Sequence, residues 1–248
     1  MKTKGTKEWA VKNVNFCKGC SNDCIYCYAK NIAYRCGWKE KGSWKDMELK
    51  PEMAYKKFKK IDGWIMSPSS HDITTDNIDL AIKVFKNILE SGNDLLIVSK
   101  PEKELIDLLI NSLWKYKKQI LFRFTIGSHD DDTLRFFEPN APNYQSRIGS
   151  LQLAYEYGFE TSISIEPLLT RNVLKIINDI DVLVTDNIWI GPMNYQGKLF
   201  TEHPTAKNFA WLWQKETLLE IYQELIDLVD DRIAFKDTFL KIVEDNKP

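Results

Sequence analysis

Long hydrophobic runs are missing from this chain: no apolar stretch approaches the ~18 residues of a membrane span, so no transmembrane helix is expected. The opening "MKTKGTKEWAVKN" carries charge without an apolar core, which argues against a secretory signal peptide. No GxGxxG or GxxxxGK(S/T) stretch occurs, so dinucleotide and P-loop nucleotide binding lack support. Repeats, low-complexity segments and Ser/Gly-rich linkers are also lacking. Neither sign of charge dominates: 34 Lys and Arg face 35 Asp and Glu, a net charge of −1, so no global basic field advertises a nucleic-acid binder. Locally, residues 38 to 60 carry eight lysines against four acids, a run that ordinarily reads as a solvated helix face. Cysteine is absent from all 212 residues after Cys36. A chain of 248 residues buries its own core without covalent staples, and five clustered cysteines make a poor disulfide framework. These absences predict a cytoplasmic protein with reduced thiols and no membrane partner.

What is present is an alternation of short apolar, β-branched runs with longer helical patterns. "WAVKNVNF" (9–16), "GWIMS" (63–67), "DLLIVS" (94–99), "QILFRFTIG" (119–127) and "ETSISIE" (160–166) read as strands. "DVLVTDNIWIG" (181–191) reads as one or two more, and "RIAFK" (232–236) as a last one. Helical spacing runs through 77–92, 102–118, 143–158, 171–180 and 210–231. Strands alternating with helices imply βαβ units around a parallel sheet, and the near-continuously apolar strand cores imply a sheet covered on both faces. The expected class is α/β, a partial or complete barrel or an open doubly wound sheet, with function at the C-terminal ends of the strands. The polar loops "SPSSHD", "SKP", "GSHDDD" and "EPLL" then share a rim with the cysteine loop.

That loop is "FCKGCSNDCIYCYAKN", residues 16–31, with four cysteines in eleven positions. Three chemistries compete for it. Cys17, Cys20, Cys24 and Cys27 would make a four-thiolate zinc set, although zinc ribbons space their pairs further apart. A bacterial ferredoxin run needs C-x2-C-x2-C-x3-C-P, and here the long gap is central and Tyr28 replaces the proline. The third option uses Cys20-x3-Cys24-x2-Cys27 alone, three thiolates for three irons of a [4Fe-4S] cluster with the fourth iron open.

The stretch "CSNDCIYC" resembles the CxxxCxΦC signature of radical S-adenosylmethionine (radical SAM) enzymes, Φ being aromatic, here Tyr26. With "SPSSHD", "LLIVSKP" and the run from "FRFTIGSHDDD" to "ISIEPLL", it resembles the branch that includes spore photoproduct lyase, over roughly residues 14 to 170. The resemblance implies a partial (β/α)6 barrel, parallel strands inside outer helices, as one radical SAM domain over residues 1–248. The cluster loop, 17–27, would follow the first strand, and a C-terminal helix and last strand would occupy about 209–243. It implies a [4Fe-4S] cluster on Cys20, Cys24 and Cys27, reductive cleavage of S-adenosyl-L-methionine and abstraction of a hydrogen atom from substrate. A flavodoxin or ferredoxin-type electron donor follows. For S-adenosylmethionine it points to Tyr26 and Tyr28, to Ser69 and Ser70 near the amino group, and to Lys100 and Ser128 at the carboxylate. The rim residues His71, His129 and Glu166 are candidates for touching substrate. Glu138 and Arg147 match a recurrent ion pair of the branch. Cys17 and Cys36 are extra to the motif. Branch analogy favours a nucleoside, nucleotide or nucleic acid as substrate, ahead of a peptide or small metabolite. The lyase reaction, as that family is understood, uses a cysteine well beyond the cluster motif, and this chain has none there. The rival reading is a non-catalytic zinc- or cluster-stabilised binding module.

Overall fold

The computed structural model describes residues 5–228 and 231–244. Seven strands form one sheet in chain order: β1 (Lys12–Asn13), β2 (Ile65–Ser67), β3 (Leu95–Ser99), β4 (Ile120–Thr125), β5 (Glu160–Ile165), β6 (Ile188–Ile190) and β7 (Ile233–Phe235). Each neighbouring pair is parallel, from Lys12 opposite Ile65 at one edge to Ile190 opposite Phe235 at the other. Parallel neighbours need crossovers, and helices supply them. α1 (Tyr28–Arg35) follows β1, α2 (Ile78–Glu90) follows β2 and α3 (Lys103–Leu113) follows β3. α4 (Asp131–Phe137) and α5 (Tyr144–Glu156) follow β4, and α6 (Val173–Ile180) follows β5. α7 (Gln196–Glu202) and α8 (Lys215–Ile226) follow β6, and α9 (Asp237–Glu244) follows β7.

Period two divides the strands between two environments. Ile97, Phe122, Phe124, Ile163, Ile165, Ile188 and Ile190 pack into the main core with the helices, where α2 buries Ile78, Ala81, Val84, Phe85 and Ile88 at helical spacing. The alternate residues Met66, Leu96 and Leu121 turn to the other face and pack with Trp9, Ala10 and Trp64. Arg123 lies on that same face, bonded to Ser162 at 2.9 Å, with its guanidinium 5.0 Å from the Trp9 ring centroid and 5.5 Å from that of Trp189. Among the described residues β1 and β7 do not pair. The 3-10 turn Gly5–Glu8 bridges them: Lys236 Nζ reaches Glu8 Oε1 at 3.1 Å and Gly5 O at 2.9 Å.

The α/β partial barrel thus forms as expected, with seven strands in place of six. The first strand shrinks from 9–16 to Lys12–Asn13, because Trp9 and Ala10 leave the ladder to cover the inner face. Beyond it Cys17–Lys18 pairs antiparallel with Glu48–Leu49. The segment 181–191 holds a single strand, preceded by a 3-10 turn. The helix expected over 210–231 starts only at Lys215, after a 3-10 segment Pro204–Trp213, and residues 229 and 230 lie outside the described residues. The lysine-rich run 38–60 forms no α-helix, only the short strand Glu48–Leu49 and the 3-10 turn Pro51–Tyr55, so its lysines are not an α-helix face. Among the described residues no helix is long and apolar enough to cross a membrane.

Candidate functional site

The cysteine loop leaves β1 and returns through α1 at the C-terminal edge of the sheet. Gly19 makes its first bend. Its φ is +94°, and a Cβ there would stand 2.6 Å from the carbonyl of Trp44, so only glycine fits. The tightness comes from Cys20 N–H, which donates to that same carbonyl at 2.9 Å. Farther on, Ile25 N–H donates to Phe137 O at 3.0 Å, which pins the middle of the loop to the end of α4.

Cys20 and Cys24 are buried and Cys27 is partly so. Cys20 Sγ accepts the backbone N–H of Asp72 at 3.4 Å, and Cys27, the N-cap of α1, accepts that of Lys30 at 3.4 Å. Burial pushes all three thiols above their ordinary range, Cys24 to about 12, while the Lys100 ammonium draws each of them back down. One cation therefore acts electrostatically on all three sulfurs. Cys17 points elsewhere: its Sγ lies in the main core, 3.9 Å from Gly19 O and from Asn77 Nδ2, with burial raising its pKa to about 12. Among the described residues no three His, Cys, Asp or Glu side chains crowd closely enough to share one metal ion. Three thiols within eight residues, two buried and one partly buried, two of them accepting N–H bonds, fit a polynuclear iron–sulfur group in which each sulfur takes its own iron.

Lys100, at the end of β3, is anchored by Asp72. Its backbone N–H donates to Asp72 Oδ1 at 2.8 Å, and its Nζ donates to Oδ2 at 3.3 Å. Asn22 donates to the same carboxylate at 3.0 Å. Burial opposes both charges. Asp72 and the neighbouring Cys24, Tyr26 and Glu138 outweigh it and hold Lys100 protonated, while Lys100 keeps Asp72 ionised. The Lys100 ammonium also stands 5.9 Å from the Tyr26 ring centroid. Tyr26 donates its hydroxyl to Glu138, which pairs with Arg147 at 2.5 Å, both wholly buried.

A second group gathers at Asn15. Its side-chain oxygen accepts the N–H of Ser69 at 2.8 Å and of Ser70 at 3.1 Å, and its nitrogen donates to Ser69 Oγ at 3.0 Å. Tyr28 closes the group, its hydroxyl on Ser69 O at 2.5 Å. Glu166, at the end of β5, sits 3.8 Å from Lys236 and 3.4 Å from Asn194, and burial raises its pKa. Burial pushes the Tyr28 hydroxyl up to about 12, with Cys27, Glu166 and Tyr195 adding to that rise.

Cys20, Cys24, Cys27, Lys100 and Tyr26 are thus brought together, with Tyr28, Ser69 and Ser70 beside them. His71 is turned into the core: Nε2 accepts the N–H of Phe16 at 3.3 Å, the ring packs edge-on to Phe16, and burial lowers its pKa to about 4. His129 faces Thr170 at 3.4 Å. Ser128 is buried and accepts the N–H of Asp130 at 3.1 Å. Sequence reasoning placed Asp72 only as a rim neighbour of His71 and passed over Asn15 and Asn22. Asp72 was visible only as part of the polar loop "SPSSHD", and nothing local marked Asn15.

No family model matches the chain. Protein ORF301 of Acidianus two-tailed virus, itself uncharacterized, is 24% identical over 243 residues, spanning 88% of this chain and 79% of that one. Among solved structures, a spore photoproduct lyase variant with bound AdoMet and dinucleoside spore photoproduct matches with a TM-score of 0.53 and 14% identity, over 77% of this chain and 60% of that one. SuiB of Streptococcus suis bound to S-adenosylmethionine matches at 0.56 and 12%, over 96% of this chain and 50% of that one. SuiB bound to precursor peptide SuiA matches at 0.59 and 11%. The chain spans about half to three fifths of the length of these structures. It therefore has the partial-barrel fold of the radical SAM enzymes, to which both of these proteins belong.

Proposed function

We propose that this chain is a radical SAM enzyme whose Cys20, Cys24 and Cys27 hold three irons of a [4Fe-4S] cluster and leave the fourth to S-adenosylmethionine. The observation that carries the reading is the Lys100–Asp72 pair, which keeps a nearly buried ammonium within electrostatic reach of Cys20, Cys24 and Cys27 at the C-terminal end of the sheet. When bound, the two cofactors supply one-electron cleavage of the sulfonium and a radical that takes a hydrogen atom from substrate.

The protein's own residues bind and orient. Lys100 offers a charge-assisted hydrogen bond to the carboxylate of S-adenosylmethionine, and Asp72 holds it there already ionised. Asn15 fixes the turn of Ser69 and Ser70 so that their polar atoms meet the methionine amino group. Tyr26 and Tyr28 border the cluster side, and Ser128 is a further carboxylate contact through the β4-end loop. Glu166, at the end of β5, is the residue assigned to substrate, and His129 follows it; His71, expected beside them, is turned into the core on Phe16 and is not assigned to substrate. A flavodoxin or ferredoxin-type protein supplies the electron, in the cytoplasm. The substrate is a nucleoside, nucleotide or nucleic acid. A peptide is the second reading, favoured by the likeness to SuiB with its precursor peptide. Thymine recovery from spore photoproduct without added thiol is not expected, since no cysteine follows Cys36.

The test is anaerobic reconstitution with iron and sulfide, then reduction with and without S-adenosylmethionine. Four irons per chain, a change in the EPR signal on adding S-adenosylmethionine and formation of 5′-deoxyadenosine are expected. A colourless protein that retains zinc would replace this reading with the binding module.

A further inference from the structure

The net charge of −1 conceals a division along the chain. Residues 1–60 carry 15 Lys and Arg against six Asp and Glu, a net +9, which leaves −10 for residues 61–248. Some of these cations are spent inside the fold: Lys30 pairs with Asp23 and Lys39 with Glu48. Lys18 and Lys50 form no salt bridge among the described residues, and both line a cavity of about 530 Å³. Its other walls include Tyr28, Trp38, Trp44 and Ser69. Trp38 is 59% exposed, an indole left at the surface beside two lysines. Nearby on the chain Tyr55 is 85% exposed, and Lys12 and Lys56 each stand 5.8 Å from the ring of Phe58. Around the cavity itself, aromatic rings (Tyr28, Trp38 and Trp44) stand among the cations Lys18 and Lys50, rather than cations alone.

We infer that this face binds single-stranded nucleic acid, with an unstacked base in the cavity against Trp38 and backbone phosphates on Lys18 and Lys50. Stacking on an aromatic ring is sequence-tolerant because every base has a π-face, and lysines follow the backbone charge. The cavity volume falls in the range of sites that enclose a small planar ligand. A duplex keeps its bases stacked inside and offers the cavity nothing to hold. An acidic protein would satisfy the lysines but leave the cavity and Trp38 unused. The inference deepens the proposed function and rests on it for what the strand is for, because the cavity wall at Tyr28 and Ser69 is also the edge of the proposed cofactor site.

Fluorescence anisotropy of a labelled single strand of ~12 nucleotides, and of the same sequence as duplex, is measured on the reconstituted protein between ~50 and ~200 mM salt. The single strand binds more tightly than the duplex. Joint Lys18→Gln and Lys50→Gln substitution flattens the log-affinity against log-salt slope by ~1.4, about 0.7 for each phosphate that no longer meets a cation. Trp38→Ala weakens binding ~10-fold with the slope unchanged, the loss of one stacked base. Circular dichroism and iron content establish that each variant is folded, and should the double variant fail to fold, Trp38→Ala still decides. Equal binding of duplex, no binding at ~50 mM salt, or an unaltered affinity in Trp38→Ala overturns the inference. So does capture of an acidic flavodoxin-type donor, abolished in the lysine variants, by a protein that ignores the strand. Absence of a cluster would sink the proposed function and leave the anisotropy result standing, so the two failures are distinguishable.

Discussion

Asp72→Ala removes the carboxylate that holds Lys100. That oxygen pair accepts from Lys100 N at 2.8 Å, Asn22 Nδ2 at 3.0 Å, Lys100 Nζ at 3.3 Å and Ser99 Oγ at 3.3 Å. Both side chains of the ion pair are only 11% exposed, so solvent screens the loss little. Breaking a buried pair by deleting one partner costs about 3–5 kcal/mol, because the remaining charge stays buried without compensation. Against a folding stability of about 5–15 kcal/mol this is a large fraction. At about 2–4 °C per kcal/mol for a chain of this size, the unfolding midpoint falls by ~6–20 °C, read by circular dichroism. Asp72→Leu combined with Lys100→Met removes both charges and recovers most of the midpoint, since a buried pair replaced by apolar groups is often neutral. Affinity for S-adenosylmethionine stays lost in that double variant, which has no cation for the carboxylate. A midpoint for Asp72→Ala within ~2 °C of the parent, or a double variant no more stable than the single one, would refute the buried pair.

Cys20→Ala, Cys24→Ala and Cys27→Ala each abolish the cluster, while Cys17→Ala, whose sulfur lies in the main core, keeps it; iron and sulfide analysis decides. Gly19→Ala forces a Cβ to within 2.6 Å of the Trp44 carbonyl at a φ of +94°, so its unfolding midpoint drops and its cluster loading falls with it. His71, whose pKa burial lowers from 6.5 to about 4, contributes stability that is present above pH 6.5 and lost as pH falls toward 4, about 3 kcal/mol at 1.36 kcal/mol per pKa unit. Urea midpoints between those two pH values should fall steeply for the parent and less steeply for His71→Gln; parallel profiles would contradict the buried neutral ring.

Local pattern carried the parts of this fold whose causes are local. "DLLIVS" has an unbroken apolar core, Leu95 to Val98, bounded by turn residues, and supplies β3; the spacing of Ile78, Ala81, Val84, Phe85 and Ile88 is α2. The cysteine spacing was legible for the same reason, since eight consecutive residues bring the three thiols together. Elements failed where an apolar run is used for something other than its own period. Trp9 and Ala10 look like strand residues and instead cover the inner face. "AWLW" looks like the first turn of a helix, but Trp213 donates its indole N–H to Leu168 O at 2.6 Å and stacks on Phe200, which holds the segment as 3-10 turns until Lys215. The Asp72–Lys100 pair crosses 28 residues and two adjacent strands, and Asn15 reaches Ser69 across 54. No single-element period encodes either, because each depends on which strands become neighbours.

The N-terminal turn explains why the rim is where the site lies. A parallel barrel missing its last seam exposes its inner face along the gap between β1 and β7 as well as at both ends. Here the gap is bridged near the chain's start and finish, by Lys236 on Glu8 and Gly5 and by Asp237 N–H on Glu8 at 3.1 Å. Trp9 then packs against Trp189 with ring centroids 5.9 Å apart, and both Arg123 and Lys236 sit over the two indoles. Arg123 is compensated by Asp186 at 3.0 Å, so the layer carries charge without leaving it unpaired. Ser164 lies opposite Trp189 in the sheet register, and its buried hydroxyl has no partner among the described residues. An unmet buried hydroxyl costs about 1–3 kcal/mol, which a ligand entering from above can relieve. The C-terminal rim is the approach this layer leaves to such a ligand. The cysteine loop, Lys100 and Glu166 follow the C-terminal ends of β1, β3 and β5, which puts them on that rim.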